Sequence, residues 1–190
     1  MVSVYQARLE KIWDKMADEG IALVMFEDTE GRRDTTVRWL TGHPADALLF
    51  LSVVPPAEAK GAASQNRGSP PDRKCLLMPW DIHLSKVYSR ADIILPYDDF
   101  DRTPRKGIQA AVEKLKIPPG SRLEIPSVTP YPSFLEFVGD LGDFDVICRE
   151  KSVASFAQDL RAVKDREEIA LLKKAADIFQ LKKVGKYIKN

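Results

Sequence analysis

A six-residue run, IALVMF at 21–26, does most to limit what this chain can become. It is continuous, partly β-branched and too short for a stable helix of its own. A strand with one wet face alternates apolar and polar residues, so an unbroken run asks for cover on both faces. The segment before it supplies the first cover. From Val4 to Glu19, residues Tyr5, Leu9, Ile12, Trp13 and Met16 recur at helical spacing, and Gly20 stands where a C-terminal cap belongs. A helix feeding straight into a two-sided strand predicts an α/β fold.

The remaining pattern agrees. ALLFLSVV (47–54) and CLLMPW (75–80) read as strands. Between them, the 55–74 stretch has four prolines, two glycines and no branched aliphatic or aromatic residue. It can bury little against its ordering entropy, which predicts an elongated hairpin loop. The charged stretch 27–44, with a short apolar patch at Val37, Trp39 and Leu40, predicts a loop, a helical turn and a loop. After Trp80 the pattern alternates: helices near 81–90, 104–116 and 131–139, and strands near 92–96, 121–125 and 143–149. Such alternation calls for a mixed or parallel sheet with helices on its faces. From Ser152 on the pattern is helical. Asp165 and Glu168 have the spacing of a capping box, in which each side chain accepts from the other residue's amide. Beyond them, Ile169, Leu172, Ala176 and Phe179 form one apolar stripe, and Leu171, Ala175 and Ile178 a second. A helix apolar over so wide an arc wants more to pack on than one sheet face.

Lysine plus arginine (29) nearly cancel aspartate plus glutamate (28) across the 190 residues, so charge gives no reason to invoke nucleic acid or an anionic membrane surface. No run approaches the roughly 18 apolar residues that span a bilayer. The N-terminus is amphipathic and carries acids, unlike a secretory leader, and Cys75 and Cys148 sit in apolar runs as buried, reduced thiols. A cytoplasmic protein is expected.

Motifs that carry chemistry are few. His43 and His83 are far apart and lack a metal-binding spacing, so no native metal site is expected in this chain. DDFD (98–101) lacks the glycine and distal glutamate of a calcium loop and reads as a solvated turn. There is no Gly-x-Ser-x-Gly elbow, and PPGSRLE (118–124) precedes a strand, so it is a turn and no phosphate cradle. No catalytic residue is assigned. The stretch RWLTGHPAD (38–46) is the better candidate: Arg38, Trp39 and His43 bring a cation, an aromatic and an imidazole to one loop. Ordinary burial habits instead read Trp39 as core and His43 as a solvated loop residue. Trp80, just after Pro79, either faces a neighbour at the sheet end or packs under the helix that follows, with Asp81 as that helix's N-cap.

Three stretches together resemble the N-terminal domain of the creatinase, prolidase and aminopeptidase P group of pita-bread hydrolases. They are the opening helix with Gly20 and IALVMF, then TTVRWLTG (35–42) with Leu40, Thr41 and Gly42 in place, and Arg161, Lys164, Glu168 and Ile169 in RAVKDREEIALLKKAADI. Thr36 and Trp39 depart from the family's usual asparagine and tyrosine, and the 55–74 insertion is long, which leaves the parent's substrate open.

The resemblance implies a three-layer α/β domain, a mixed β-sheet flanked by helices, similar to the ribonuclease H-like creatinase N-terminal domain. It would span 1–150, with 151–190 a helical linker towards a catalytic domain lying outside these residues. That domain would hold a divalent metal pair (manganese, cobalt or zinc) on two aspartates, a histidine and two glutamates. This chain would hold no cofactor. By the same resemblance it would join a homodimer and wall the partner subunit's pocket for a proline-containing peptide through Arg38, Trp39, His43 and Trp80. A reading of another class is a stand-alone module that binds a peptide or protein through 38–46 or the last helix. A flavodoxin-type binding protein is a third, but it has no phosphate loop to support it.

Overall fold

The computed structural model describes residues 3–54 and 71–187, with side chains as far as residue 179. The chain divides into two compact units, Met1–Gln158 and Asp159–Asn190. The first is built on a six-stranded sheet of order β4-β3-β2-β1-β5-β6. Its strands are β1 (Ile21–Asp28), β2 (Ala47–Val54), β3 (Asp72–Pro79), β4 (Ile93–Ile94), β5 (Arg122–Glu124) and β6 (Asp145–Ile147). The β1–β2 and β2–β3 pairs are antiparallel, and the outer three pairings are parallel. The sheet is therefore mixed, as the alternating pattern requires.

Helix α1 (Val4–Asp18) starts at Ser3, whose hydroxyl accepts from the Gln6 amide. It buries Leu9, Ile12, Trp13 and Met16 and ends with Gly20 at φ 66°, a left-handed conformation that glycine adopts without strain. Every residue of β1 is buried, so the two-sided strand is observed. Parity then sorts the sheet's side chains. Leu23 and Met25 of β1, Leu48 and Phe50 of β2, and Leu76 and Met78 of β3 join one core cluster with Ile108, Ala111 and Phe137. Those last residues come from α4 (Pro104–Lys114) and α5 (Tyr131–Asp140). The opposite face meets α1 and the short α2 (Thr36–Thr41). Helix α6 (Val153–Ala162) lies beside α1, where the Lys15 ammonium stands 5.6 Å from the Phe156 ring centre. Helices on both faces of one sheet make the three layers.

Some boundaries move for physical reasons. β1 runs on through Glu27 and Asp28, because Arg32 and Arg33 pair with the two carboxylates. β3 begins at Asp72, ahead of its apolar run, and Arg73 there is held by Glu10 and Asp14 of α1. The strand expected at 92–96 shortens to β4 and passes into a 3-10 turn at Tyr97–Phe100, which absorbs the acidic DDFD. The helix near 81–90 is α3 (Ile82–Tyr88), and Asp81 does cap it, accepting from the amides of His83 and Leu84. Cys75 is buried and Cys148 only partly so; both are free thiols. Apart from its last four residues, the long connection expected at 55–74 lies outside the described residues.

The second unit carries α7 (Arg166–Tyr187). Its capping box is reciprocal: the Asp165 amide donates to Glu168 at 2.9 Å and the Glu168 amide to Asp165 at 2.8 Å. Within the first unit, a buried carboxylate fixes the start of α6. Glu124, 1% exposed at the end of β5, accepts from the Val153 amide at 2.7 Å and from Arg149 at 3.1 Å. Burial raises its pKa, and the Val153 amide and Arg149 oppose that rise. Replacing Glu124 by Ala removes the acceptor and leaves a buried amide unpaired. The expected loss is about 2 kcal/mol in urea unfolding of the chain; an unchanged midpoint would show the contact to be dispensable.

Candidate functional site

The four candidates gather at one end of the sheet, where β1 and β3 finish and β2 begins. The Trp80 amide donates to the Asp46 carbonyl at 3.0 Å, which ties the 38–46 stretch to the end of β3. Strand parity nevertheless separates the side chains. Trp80 continues the Leu76, Met78 row and packs on the α4 and α5 side. Arg38, Trp39 and His43 belong to α2 and its following turn, on the side of α1. The structure therefore makes two neighbouring sites of what the sequence grouped as one.

On the α2 side, Arg38 is exposed and Trp39 half-buried. The Arg8 guanidinium lies 4.6 Å from the Trp39 ring centre, and its Nη1 donates to the Trp39 carbonyl at 2.9 Å. That stacking gives the indole a cation–π partner, so Trp39 is a clamped surface aromatic rather than a core residue. Arg8, on α1, was invisible as a site residue because only the fold brings it there. The Leu-Thr-Gly match has a structural reason. The Thr41 hydroxyl donates to the Val37 carbonyl at 2.7 Å and accepts from the His43 amide at 3.1 Å. Gly42 has φ 79°, and a Cβ there would stand 2.9 Å from the Tyr88 carbonyl oxygen and 3.1 Å from the Tyr5 hydroxyl. The turn is glycine-only on two counts.

His43 corrects the solvated-loop expectation: it is 1% exposed. Among the described residues neither ring nitrogen makes a well-formed hydrogen bond, although the Asp46 backbone is near enough to favour the protonated ring. Burial dominates and holds its pKa below the ordinary histidine value. The Arg38 charge acts in the same direction, and Asp81 and Asp46 act against it. The ring is neutral at neutral pH and suited to hydrogen bonding, not to carrying charge.

On the other side, Trp80 is half-buried beneath Arg102, whose guanidinium stands 4.6 Å from the indole ring centre. Its Nε1 has no hydrogen-bond partner among the described residues. The indole thus lies beneath a residue of the loop before α4. Among the described residues no group of three or more histidine, cysteine, aspartate or glutamate side chains has the arrangement to hold a metal ion. Among the described residues the donor set does not fit a metal pair.

No family model matches the sequence, and no curated protein does. Solved structures match in fold. An Xaa-Pro aminopeptidase from Streptococcus pyogenes superposes with a TM-score of 0.55 at 16% identity, over 83% of this chain and 99% of that one. The prolidase from Pyrococcus horikoshii gives 0.59 at 16% identity, over 90% of this chain but only 40% of its own. The prolidase from Thermococcus sibiricus gives 0.59 at 17%, covering 100% of this chain and 45% of its own. This chain thus spans less than half the length of either prolidase.

Two outcomes follow from the turn. Gly42→Ala combines a left-handed alanine, costing about 1–2 kcal/mol, with a backbone clash, so urea unfolding is expected to show a loss above that range. For His43, the unfolded imidazole titrates near about 6.5 and the folded one lower. Above that value both states are neutral; as pH falls below it the unfolded chain takes up a proton the folded chain refuses, and stability drops. Urea midpoints at about pH 7.5 and 5.5 should fall for the wild type and fall less for His43→Leu; equal falls would place the acid sensitivity elsewhere. The three-layer α/β architecture, a mixed sheet flanked by helices, is a fold this chain shares with solved Xaa-Pro aminopeptidase and prolidase structures.

Proposed function

We propose that this chain is the non-catalytic N-terminal domain of a metal-dependent hydrolase of the Xaa-Pro dipeptidase and aminopeptidase kind. Its role there is to supply dimer contacts and walls of the partner subunit's substrate pocket. The observation that carries the reading is the fold match, in which this chain corresponds to about two-fifths of a prolidase. The second unit supports it. Ile169, Leu171, Leu172, Ile178 and Phe179 of α7 are all exposed, between 43% and 67%, an apolar surface that suits burial against a further domain.

In this reading the divalent metal pair belongs to that further domain, where it would activate water and polarise the carbonyl before proline. Arg38 stands exposed at the sheet end and offers a guanidinium to a peptide carboxylate. Trp39, clamped by Arg8, offers a fixed aromatic wall that loses little freedom on binding. His43, 1% exposed, has too little free surface to serve as a pocket wall. We place the protein in the cytoplasm, in keeping with its free thiols; among the described residues no helix is long and apolar enough to cross a membrane.

Reading the gene beyond codon 190 tests this directly. The expected result is about 200 further residues bearing two aspartates, a histidine and two glutamates; a stop codon there would favour a stand-alone binding module. The 190-residue chain, assayed alone with alanyl-proline and manganese, is expected to release no proline, and turnover would overturn the non-catalytic assignment. In the intact protein, Arg38→Ala and Trp39→Ala should raise KM several-fold with a smaller change in kcat, as expected for groups that bind without reacting.

A further inference from the structure

A cleft of about 420 Å³ opens beyond the carboxyl ends of β1 and β3, lined among others by Glu27, Glu30, Trp80, Tyr97, Arg102 and Pro104. Its place and size are those of a small-molecule site, since open α/β sheets bind ligands beyond the carboxyl ends of their strands. It lies on the α4 side of the sheet, away from Arg38 and Trp39.

The cleft is polarised. At one wall stands Glu27, 8% exposed, with one oxygen accepting from the Thr29 hydroxyl at 3.2 Å and the other from Arg32 at 2.9 Å. A carboxylate has about four lone-pair sites, so it retains further acceptor capacity. Tyr97 is 1% exposed, and its hydroxyl has no hydrogen-bond partner among the described residues. Burial first, and the Glu27 charge second, push its pKa up, so the phenol stays protonated and within reach of that carboxylate's field. An unpaired buried hydroxyl is costly, and this one lines the same cleft as the Glu27 carboxylate. Glu30 adds a second negative charge at the rim.

The lining also includes a cation, Arg102. The Arg102 guanidinium stands over the Trp80 ring and its Nε donates to Asp98. Asp101 and Arg102 have φ of 51° and 50°, two successive left-handed residues without glycine, so the guanidinium is placed by a constrained backbone. Guanidinium carries five N–H donors, and the Nε bond to Asp98 leaves the terminal nitrogens for a ligand. A lone anion suits the site poorly because of the two glutamates. A metal ion lacks a ligand cluster among the described residues. A molecule carrying both charges suits it well.

We propose that this cleft binds an amino acid or short peptide as its zwitterion. The ammonium donates to Glu27 and to the Tyr97 hydroxyl oxygen, and the carboxylate accepts from the terminal nitrogens of Arg102. The side chain or second residue rests against Trp80 and Pro104. This is equilibrium binding by the chain itself and requires no hydrolytic partner.

The test uses the 190-residue chain labelled with nitrogen-15, in which Trp80 gives one of three indole N–H signals. Alanyl-proline should shift the Trp80 signal saturably, with half-saturation at or below about 1 mM. N-acetyl-alanyl-prolinamide, which lacks both charges, should leave it in place. Tyr97→Phe, which deletes only the hydroxyl, and Arg102→Gln should each weaken binding about tenfold. No saturable shift up to about 10 mM would overturn the proposal, as would an equal response to the blocked peptide. So would undiminished affinity in both variants. If a variant does not fold, the free and blocked peptides on the wild-type chain decide the matter. The readout is binding alone, so failure here leaves the hydrolase reading untouched, and a stop codon after residue 190 leaves this one untouched.

Discussion

The pairing of β1 with β2 governs the rest of the first unit. Six consecutive residue pairs join them, from Leu23 opposite Ser52 to Asp28 opposite Ala47, and all eight residues of β1 are buried. A central strand hidden on both sides cannot exist in a two-layer fold. It obliges α1 and α2 to cover one face and α4 and α5 the other. Gly107 shows how closely the second layer settles: a Cβ there would stand 2.9 Å from Leu48 Cδ1, so α4 approaches the sheet where a larger residue would hold it off.

Most of this architecture could be read from the chain because it rests on local signals that agree with the global fold. Helical periodicity with Gly20 gave α1, the unbroken apolar run gave β1, and the Asp165–Glu168 spacing gave the start of α7. Boundaries were less legible where charge compensation decides them. Glu27 and Asp28 look like loop residues until Arg32 and Arg33 are seen beside them. Arg73 likewise joins β3 because α1 presents two carboxylates across 59 or more residues of sequence.

The candidate site was half legible. The turn at 41–43 could be located, since Thr-Gly before a strand is a local signal, but its meaning could not. His43 looks polar and loop-borne, yet it follows the Gly42 turn into the interior and is 1% exposed. The partners of both tryptophans come from elsewhere in the chain: Arg8 over Trp39, and Arg102 over Trp80. No spacing rule links those pairs. One clue was available for the second: Glu27 falls on the same alternation as Leu23 and Met25, so a carboxylate was bound to emerge on the α4 side once the strand ran that far.

That alternation has a consequence of its own. A sheet is one residue thick, and the Asp46 carbonyl, three residues past His43, accepts from the Trp80 amide, while α2 and the Trp80 indole belong to opposite faces. Substitutions drifting into one compartment meet the other only through backbone, which yields little. A lineage could therefore retune the surface around Trp39 while preserving whatever lodges beside Trp80, or the reverse, so one small scaffold can carry two independently evolving specificities.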